Sequence, residues 1–251
     1  MKKLFVFGDV HSFYDEFMEA LDKAGFDINN PDHIIVSLGD LCDRGPKSRE
    51  VLSFVNSIPD DRKLLTIGNH EILMELMIKR GYPNGVDTYN GVVNTAIDIT
   101  EKDEGIEDLK HNRFWNEYKK NRHWYHEIGD YIFIHGWIPC FPKSSDYDYT
   151  EYQYMPDWRR SRIEDLYEAT YLNGMEMWSN GIRETGKTIF CGHWHTSWGH
   201  YHLHHKGAES PEKRKAILDP FIDEGIVALD ASTPNSHKVN VYVLEMPEGF
   251  I

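Results

Sequence analysis

The amino-acid sequence predicts a layered α/β fold, and three observations carry that expectation. Short apolar runs of strand length alternate with stretches of helical periodicity from residue 3 to residue 80. Three strand–helix units follow one another directly, which favours parallel strands. Each apolar run also ends in glycine followed by a polar residue able to do chemistry.

The elements follow in order. "KLFVFG" (3–8) is rich in strand formers and runs into Gly-Asp, and Phe13, Phe17, Leu21 and Ala24 then recur at helical spacing. "HIIVSLG" (33–39) is a second buried strand, again ending Gly-Asp. Pro46 marks a helix start with Val51, Leu52 and Val55 as its apolar stripe. "KLLTIG" (63–68) is a third strand, followed by Asn-His-Glu and a Leu- and Met-rich helix to about Arg80. Residues 81 to about 125 are polar and mostly helical in character, with the Gly- and Asn-rich piece "GYPNGVDTYNGVVN". They read as an insertion over the strand ends within one domain spanning 1–251. "WYHEIGDYIFIHG" (124–136) predicts a hairpin turning at Gly129-Asp130. "KTIFCG" (187–192), "GIVALD" (225–230) and "KVNVYVLEM" (238–246) supply later strands. The charged stretch 206–224, with Pro211 and Pro220, reads as a surface loop.

A net charge of −14 repels nucleic-acid backbones and anionic membranes, so neither is an expected partner. Phosphate handling in such a chain needs local positive charge from arginine or metal ions. The apolar start, Leu4 to Phe7, stops at Asp9, too short for a signal-peptide core, and no apolar run is long enough to span a bilayer. Cys42, Cys140 and Cys191 are odd in number and widely spaced, so a cytoplasmic protein with reduced thiols is expected.

Five strand ends carry one chemical character: Gly8-Asp9-Val10-His11, Gly39-Asp40-Leu41-Cys42-Asp43-Arg44-Gly45, Gly68-Asn69-His70-Glu71, His135-Gly136 and Gly192-His193-Trp194-His195. Parallel strands bring such ends to one edge of the sheet. Asp9, His11, Asp40, Asn69, His135, His193 and His195 are too many ligands for one tetrahedral ion and suit two. Oxygen and imidazole donors without thiolate fit Mn, Fe, Zn or a similar ion. If one carboxylate bridges, two ions about 3.5–4 Å apart clamp a phosphate and activate a water, and Asp40 is the natural bridge. A lone strand-end Asp or His is more often a turn or packing residue; five in this order are hard to attribute to chance.

The ordered set "GDVH", "GDLCDRG", "GNHE", "HG" and "GHWH" resembles the successive motifs of the calcineurin-like metallophosphoesterases. Its Asp-Arg-Gly and Glu resemble the Ser/Thr protein phosphatase branch, which includes bacterial and phage enzymes and the symmetrical dinucleoside tetraphosphatases. The resemblance implies a β-sandwich with helices on both outer faces, in place of a single doubly wound sheet. It implies that Asp9 and His11 bind one metal, that Asp40 bridges, and that Asn69, His135 and His193 bind the other. His195 resembles a first-metal ligand of the wider superfamily. The metals expected are two divalent or trivalent ions, Mn²⁺ first, with Fe or Zn as alternatives. His70 is then the general acid oriented by Asp43, and Arg44 and Asn69 contact substrate. A second phosphate clamp is sought in "DWRRSR" (157–162), where Arg159 is favoured over a solvated basic cluster. The family motif continues with glycine where this chain has Ser12.

These residues point to hydrolysis of phosphomonoesters by in-line attack of hydroxide, with phosphoprotein as the implied substrate and a dinucleoside polyphosphate as the alternative. A nuclease is opposed by the charge. A non-catalytic module on the same fold is opposed by the joint presence of His70, Asp43 and Arg44. Four tyrosines between Tyr147 and Tyr154 either rim the site or pack under a loop, and Trp194 and Trp198 read as possible fillers beside the metals. In "CGHWHTSWGHYHLHH" (191–205), the alternation of His200, His202 and His204 predicts a strand with one histidine-bearing face, either near the cleft or simply partly exposed.

Overall fold

Period-two alternation splits every major strand between two environments, and that split builds the architecture. The computed structural model describes residues 1–102, 105–142 and 152–247. Its first strands are β1 (Lys2–Phe7), β2 (His33–Ser37), β3 (Lys63–Thr66), β4 (Arg122–His123), β5 (Tyr125–Ile128) and β6 (Tyr131–Ile134). They are followed by β7 (Cys140–Pro142), β8 (Tyr152–Tyr154), β9 (Thr188–Cys191), β10 (Phe221–Asp223), β11 (Ile226–Ala228) and β12 (Val241–Met246). One sheet has the order β12-β1-β2-β3-β4 and the other β10-β11-β9-β6-β5. In the first, β1 to β4 are parallel and β12 is antiparallel to β1. In the second, β9 is parallel to both β6 and β11, and β5 and β10 are antiparallel margins.

Leu4 and Val6 of β1, Ile34 and Val36 of β2, Phe133 of β6, Phe190 of β9 and Val227 of β11 form one buried layer. Their neighbours one residue along, Phe5, Phe7 and Ile35, belong to a second layer, and Ile132, Ile189 and Ile226 to a third. The shared layer lies between two face-packed sheets, and the others face helices. The chain is therefore a sandwich, and a strand buried on both faces is why its sequence reads as an unbroken apolar run.

The helices are α1 (Tyr14–Lys23), α2 (Ser48–Ser57), α3 (Asn69–Arg80), α4 (Gly85–Tyr89), α5 (Val92–Thr100), α6 (Ile106–Leu109) and α7 (Arg113–Lys120). Beyond them come α8 (Ile163–Ala169), α9 (Gly174–Ser179), α10 (Thr196–His202) and α11 (Thr233–Ser236). None is long and apolar enough to cross a membrane. The stretch read as an insertion adds to the outer helical layer, where Val92, Ala96, Ile99, Leu109, Trp115 and Tyr118 are buried with Phe17, Leu21 and Val55, and it also reaches the strand-end loops through Asn90 and Thr95. The helical stretch also ends earlier than expected, because Arg122 and His123 already pair with β3. The hairpin forms as read, with Ile128 opposite Tyr131 and Gly129 at φ 54.

Where a strand was expected from His200, His202 and His204, the first two lie in α10 and His204 lies just beyond its end. Gly199 permits the helix: a Cβ there would stand 2.4 Å from Met175 Sδ and 2.7 Å from the Phe221 ring, so α10 packs tightly on its neighbours. His200 and His204, one turn apart, lie 5.7 and 4.6 Å from the Phe221 ring. Within the 206–224 stretch, Phe221–Asp223 is β10. Tyr147 and Tyr149 lie outside the described residues; Tyr152 and Tyr154 pack on the apolar layer outside the second sheet.

Phe133 and Phe190 stack between the sheets with centroids 5.1 Å apart. Phe190→Ala is expected to cost about 3–5 kcal/mol in urea denaturation; a loss under about 1 kcal/mol would contradict face-to-face packing of the sheets.

Candidate active site

The parallel strands of both sheets deliver their carboxyl ends to one edge. β1, β2 and β3 lead into Gly8-Asp9, Gly39-Asp40 and Gly68-Asn69, while β6 and β9 lead into His135 and Gly192-His193. The first two loops are joined by main-chain bonds: Asp9 N–H donates to Gly39 O at 3.2 Å, His11 N–H to Asp40 O at 3.0 Å, and Ser12 N–H to Leu41 O at 2.8 Å. Two glycines are needed for close approach. A Cβ on Gly68 would stand 2.1 Å from Asp40 Oδ1, and one on Gly192 2.2 Å from Asp9 Oδ2.

Among the described residues two groups of ligand-type side chains converge, His11 with Asp40 and His70, and Asp40 with His135 and His193, each with atoms within 4.8 Å of one another. Asp40 is common to both. Its Oδ2 lies 3.4 Å from His135 Nε2 and 3.9 Å from His11 Nε2. Asn69 Oδ1 lies 2.9 Å from both His135 Nε2 and His193 Nδ1. Main-chain carbonyls orient two of the rings: His135 Nδ1 meets Leu38 O at 2.8 Å and His11 Nδ1 meets Cys42 O at 3.1 Å. Each ring thereby turns Nε2 toward Asp40, as an imidazole ligand with its outer nitrogen engaged does.

The electrostatics favour a cation. Burial, then the charge of Asp230, raises the Asp9 carboxyl well above its usual range. Burial opposes charge on His135, yet the Asp40 carboxylate beside it pushes its pKa up to about 10. Burial and the His135 charge lower His193 to about 3, leaving it neutral as a ligand must be. Burial opposes charge on Asp40 as well, yet His135 and His70 hold its carboxyl well below the usual range. Carboxylate oxygens beside imidazole nitrogens form a donor set suited to hard or borderline metal ions.

Asp9 stands apart from the two converging groups, its carboxylate accepting His193 N–H at 3.0 and 3.1 Å. His195 is half-buried on the same loop, with Nδ1 2.9 Å from Ser197 Oγ and its ring stacked against Trp194, and neither group includes it. Trp194 is exposed and fills no core space, while Trp198 packs on the outer apolar layer. Asp43 and His70 are both buried, with Oδ2 2.7 Å from Nδ1. His70 Nε2 is buried without a hydrogen-bond partner. Arg44 is exposed, and no carboxylate pairs with it among the described residues; a guanidinium nitrogen lies 3.2 Å from His11 Nε2.

Arg159 is not brought to this edge. It pairs with Glu127 at 2.7 Å and Glu184 at 3.2 Å and lies over the Trp158 ring. Glu127 sits across from Ile132 near the hairpin turn, toward the end where β9 begins, whereas His193 follows the end where it stops.

Three contributors were not singled out from sequence. Asp230 lies two residues beyond β11, buried, with Oδ1 accepting Ser232 N–H at 2.6 Å, and burial raises its pKa to about 6. The run "GIVALD" does end in Asp, without the glycine that marked the others. Asn90 reaches Arg44 at 3.5 Å, and Thr95 bonds Asp43; both lie in the helical stretch, where nothing in sequence marks them. Glu71 accepts the main-chain N–H of Asp40, Leu41 and Gly68 at 2.9, 3.1 and 2.8 Å.

Residues 2–221 match the calcineurin-like phosphoesterase family. The chain belongs to it. The family works with two metal ions, and the residues gathered here are of the types such ions take. A symmetrical bis(5'-nucleosyl)-tetraphosphatase of Buchnera aphidicola subsp. Baizongia pistaciae is 45% identical over 26% of this chain and 22% of its own length. An asymmetrical bis(5'-nucleosyl)-tetraphosphatase of Halalkalibacterium halodurans is 35% identical over 42% of this chain and 46% of its own. The chain thus spans less than half the length of these curated relatives. The solved structure of a protein-tyrosine phosphatase from a psychrophilic Shewanella superposes with TM-score 0.56 at 16% identity, covering 98% of this chain and 76% of that one, and shares the calcineurin-like fold.

Two outcomes follow from this geometry. Glu71→Gln replaces one carboxylate oxygen with a donor facing main-chain N–H groups, and is expected to lower stability by about 1.5–3 kcal/mol in thermal denaturation. Arg159→Ala is expected to leave aryl phosphate turnover unchanged and to cost no more than about 1 kcal/mol. A large drop in kcat/KM would return Arg159 to the site.

Proposed function

We propose that this chain is a two-metal phosphoesterase. The observation that carries the reading is the Asp43–His70 pair, with its free Nε2, beside the ligand groups that share Asp40. Asp9 and His11 would hold one ion and Asn69, His135 and His193 the other, with Asp40 common to both. His195 joins the first ion or braces its loop through Ser197. When bound, the two ions neutralise phosphoryl oxygens and acidify water, so hydroxide is available near neutral pH. Mn²⁺ is the first choice for reconstitution, and Fe and Zn suit the same donors.

The protein's own groups do the rest. Arg44 presents a planar fork to two phosphate oxygens, and with no carboxylate partner among the described residues it need not break an ion pair there to do so. His70 carries a proton at Nε2 and gives it to the leaving oxygen during in-line displacement. Asp43 accepts a hydrogen bond from Nδ1–H at 2.7 Å, which fixes the ring and favours its charged form. Asn69, between His135 and His193, lies where it also meets substrate.

Two substrate classes follow. The motif resemblance favours a phosphoprotein. The names of both curated relatives favour a dinucleoside polyphosphate, and we place that reading first. Tyr171, 38% exposed with its ring 5.9 Å from His193, offers a stacking surface for a base.

Side-by-side turnover of a dinucleoside tetraphosphate, a phosphopeptide and an aryl phosphate with Mn²⁺ tests both. Chelation is expected to abolish activity and Mn²⁺ to restore it. The tetraphosphate is expected to give the highest kcat/KM; a faster phosphopeptide would reverse the order of substrates. Failure on all three, with no metal bound by elemental analysis, would remove the enzymatic reading.

A further inference from the structure

Behind the Asp43–His70 pair lies a buried chain of three hydroxyls from three separate parts of the sequence. Ser12 Oγ is 2.6 Å from Ser48 Oγ, Ser48 Oγ is 3.2 Å from Thr95 Oγ1, and Thr95 Oγ1 is 2.6 Å from Asp43 Oδ1. Relative exposures of 0%, 1% and 1% for Ser12, Ser48 and Thr95 keep them from bulk water. Their surroundings are apolar: Val51, Leu52, Val92 and Ala96 are buried alongside in the same helices.

Proton counting gives the chain a direction. Thr95 Oγ1 accepts the Asp43 main-chain N–H at 3.0 Å, and its single proton goes to the Asp43 carboxylate. Ser48 donates to Thr95, so its oxygen accepts from Ser12. Every O–H dipole therefore points toward Asp43, and aligned bonds of this kind strengthen one another. With Oδ1 held by Thr95, Oδ2 faces His70 Nδ1 at 2.7 Å. Ser12 makes its contribution from a left-handed backbone, φ 64, where glycine would sit without strain.

We propose that Ser12, Ser48 and Thr95 are positioning residues for the acid: they fix the Asp43 carboxylate so that His70 keeps its donor at Nδ1 on Asp43 and offers Nε2 to the leaving oxygen. The proposal rests on the reading of His70 as general acid. A hydroxyl chain that only filled space would be indifferent to the leaving group. One that positions the acid matters most where the leaving oxygen is basic and needs the proton.

The test uses Mn²⁺-loaded protein and aryl phosphates of graded leaving-group basicity, with Thr95→Val, Thr95→Ser, Ser48→Ala, Ser12→Gly and His70→Asn. Thr95→Val removes the hydroxyl at constant shape. It is expected to lower kcat about tenfold for phenyl phosphate, to leave 2,4-dinitrophenyl phosphate and KM near wild type, and to be rescued by Thr95→Ser. Ser48→Ala is expected to act in the same direction, more weakly, and carries the test if Thr95→Val melts too low to assay. Ser12→Gly is expected to raise the melting temperature while lowering phenyl phosphate turnover, opposite signs that a packing role would not give. In metal-free protein, the low-field His70 Nδ1–H resonance is expected to move upfield and exchange faster in Thr95→Val, and to return in Thr95→Ser. A wild-type leaving-group slope and an unmoved resonance in both Thr95→Val and Ser48→Ala would overturn the proposal. If His70→Asn itself kept the wild-type slope, the acid reading would fall and the proposal with it, and a resonance that still responded to Thr95→Val would show which of the two had failed.

Discussion

A carboxylate taken out of water must be surrounded by donors or opposite charge, and Asp40 organises much of this structure by meeting that requirement. Its Oδ1 accepts His70 N–H at 2.9 Å, and its Oδ2 faces His135 and His11. Its own main-chain N–H goes to Glu71 and its carbonyl accepts His11 N–H. Those contacts tie the ends of β1, β2, β3 and β6 to one atom group. The sandwich holds the two sheet edges level, and Asp40 gives them something to converge on.

Such convergence has a backbone cost. Seven of the eleven non-glycine residues with positive φ among those described are Asp9, His11, Ser12, Asp40, Asp43, Arg44 and His193. Each left-handed residue of this kind costs about 1–3 kcal/mol, and they persist because Glu71 and the cross-loop main-chain bonds over-determine the loops. The concentration of strain at one edge is itself a sign of function, independent of which residues bind metal.

Much of this was legible in sequence. Unbroken apolar runs gave strands because both faces of each are buried, and Gly129-Asp130 gave a hairpin because local turn chemistry suffices. Strand-end Asp, Asn and His were visible because their identity and order carry the signal. What stayed hidden depends on partners far along the chain. Thr95 and Asn90 look like ordinary polar residues of a helical stretch until α5 packs on α2 and brings them to Asp43 and Arg44. Arg159 looked free because Glu127 and Glu184 are each at least 25 residues away in sequence. The alternation of His200, His202 and His204 misled because a two-residue period and one helical turn both fit so short a run; packing of Gly199 on Met175 and Phe221 chose the helix.

By itself the sequence determined the strands and helices of its first eighty residues, the hairpin, the family and which residue types stand at the strand ends, since these follow from local periodicity and from the identity of a few residues in order. Only the tertiary structure decided how the strands divide into two sheets, which arginine is free and which is held, and what stands behind Asp43. The physical reason is common to all three. A hydrogen bond or ion pair forms with whatever is within about 3 Å, and that distance is set by packing between elements rather than by position along the chain.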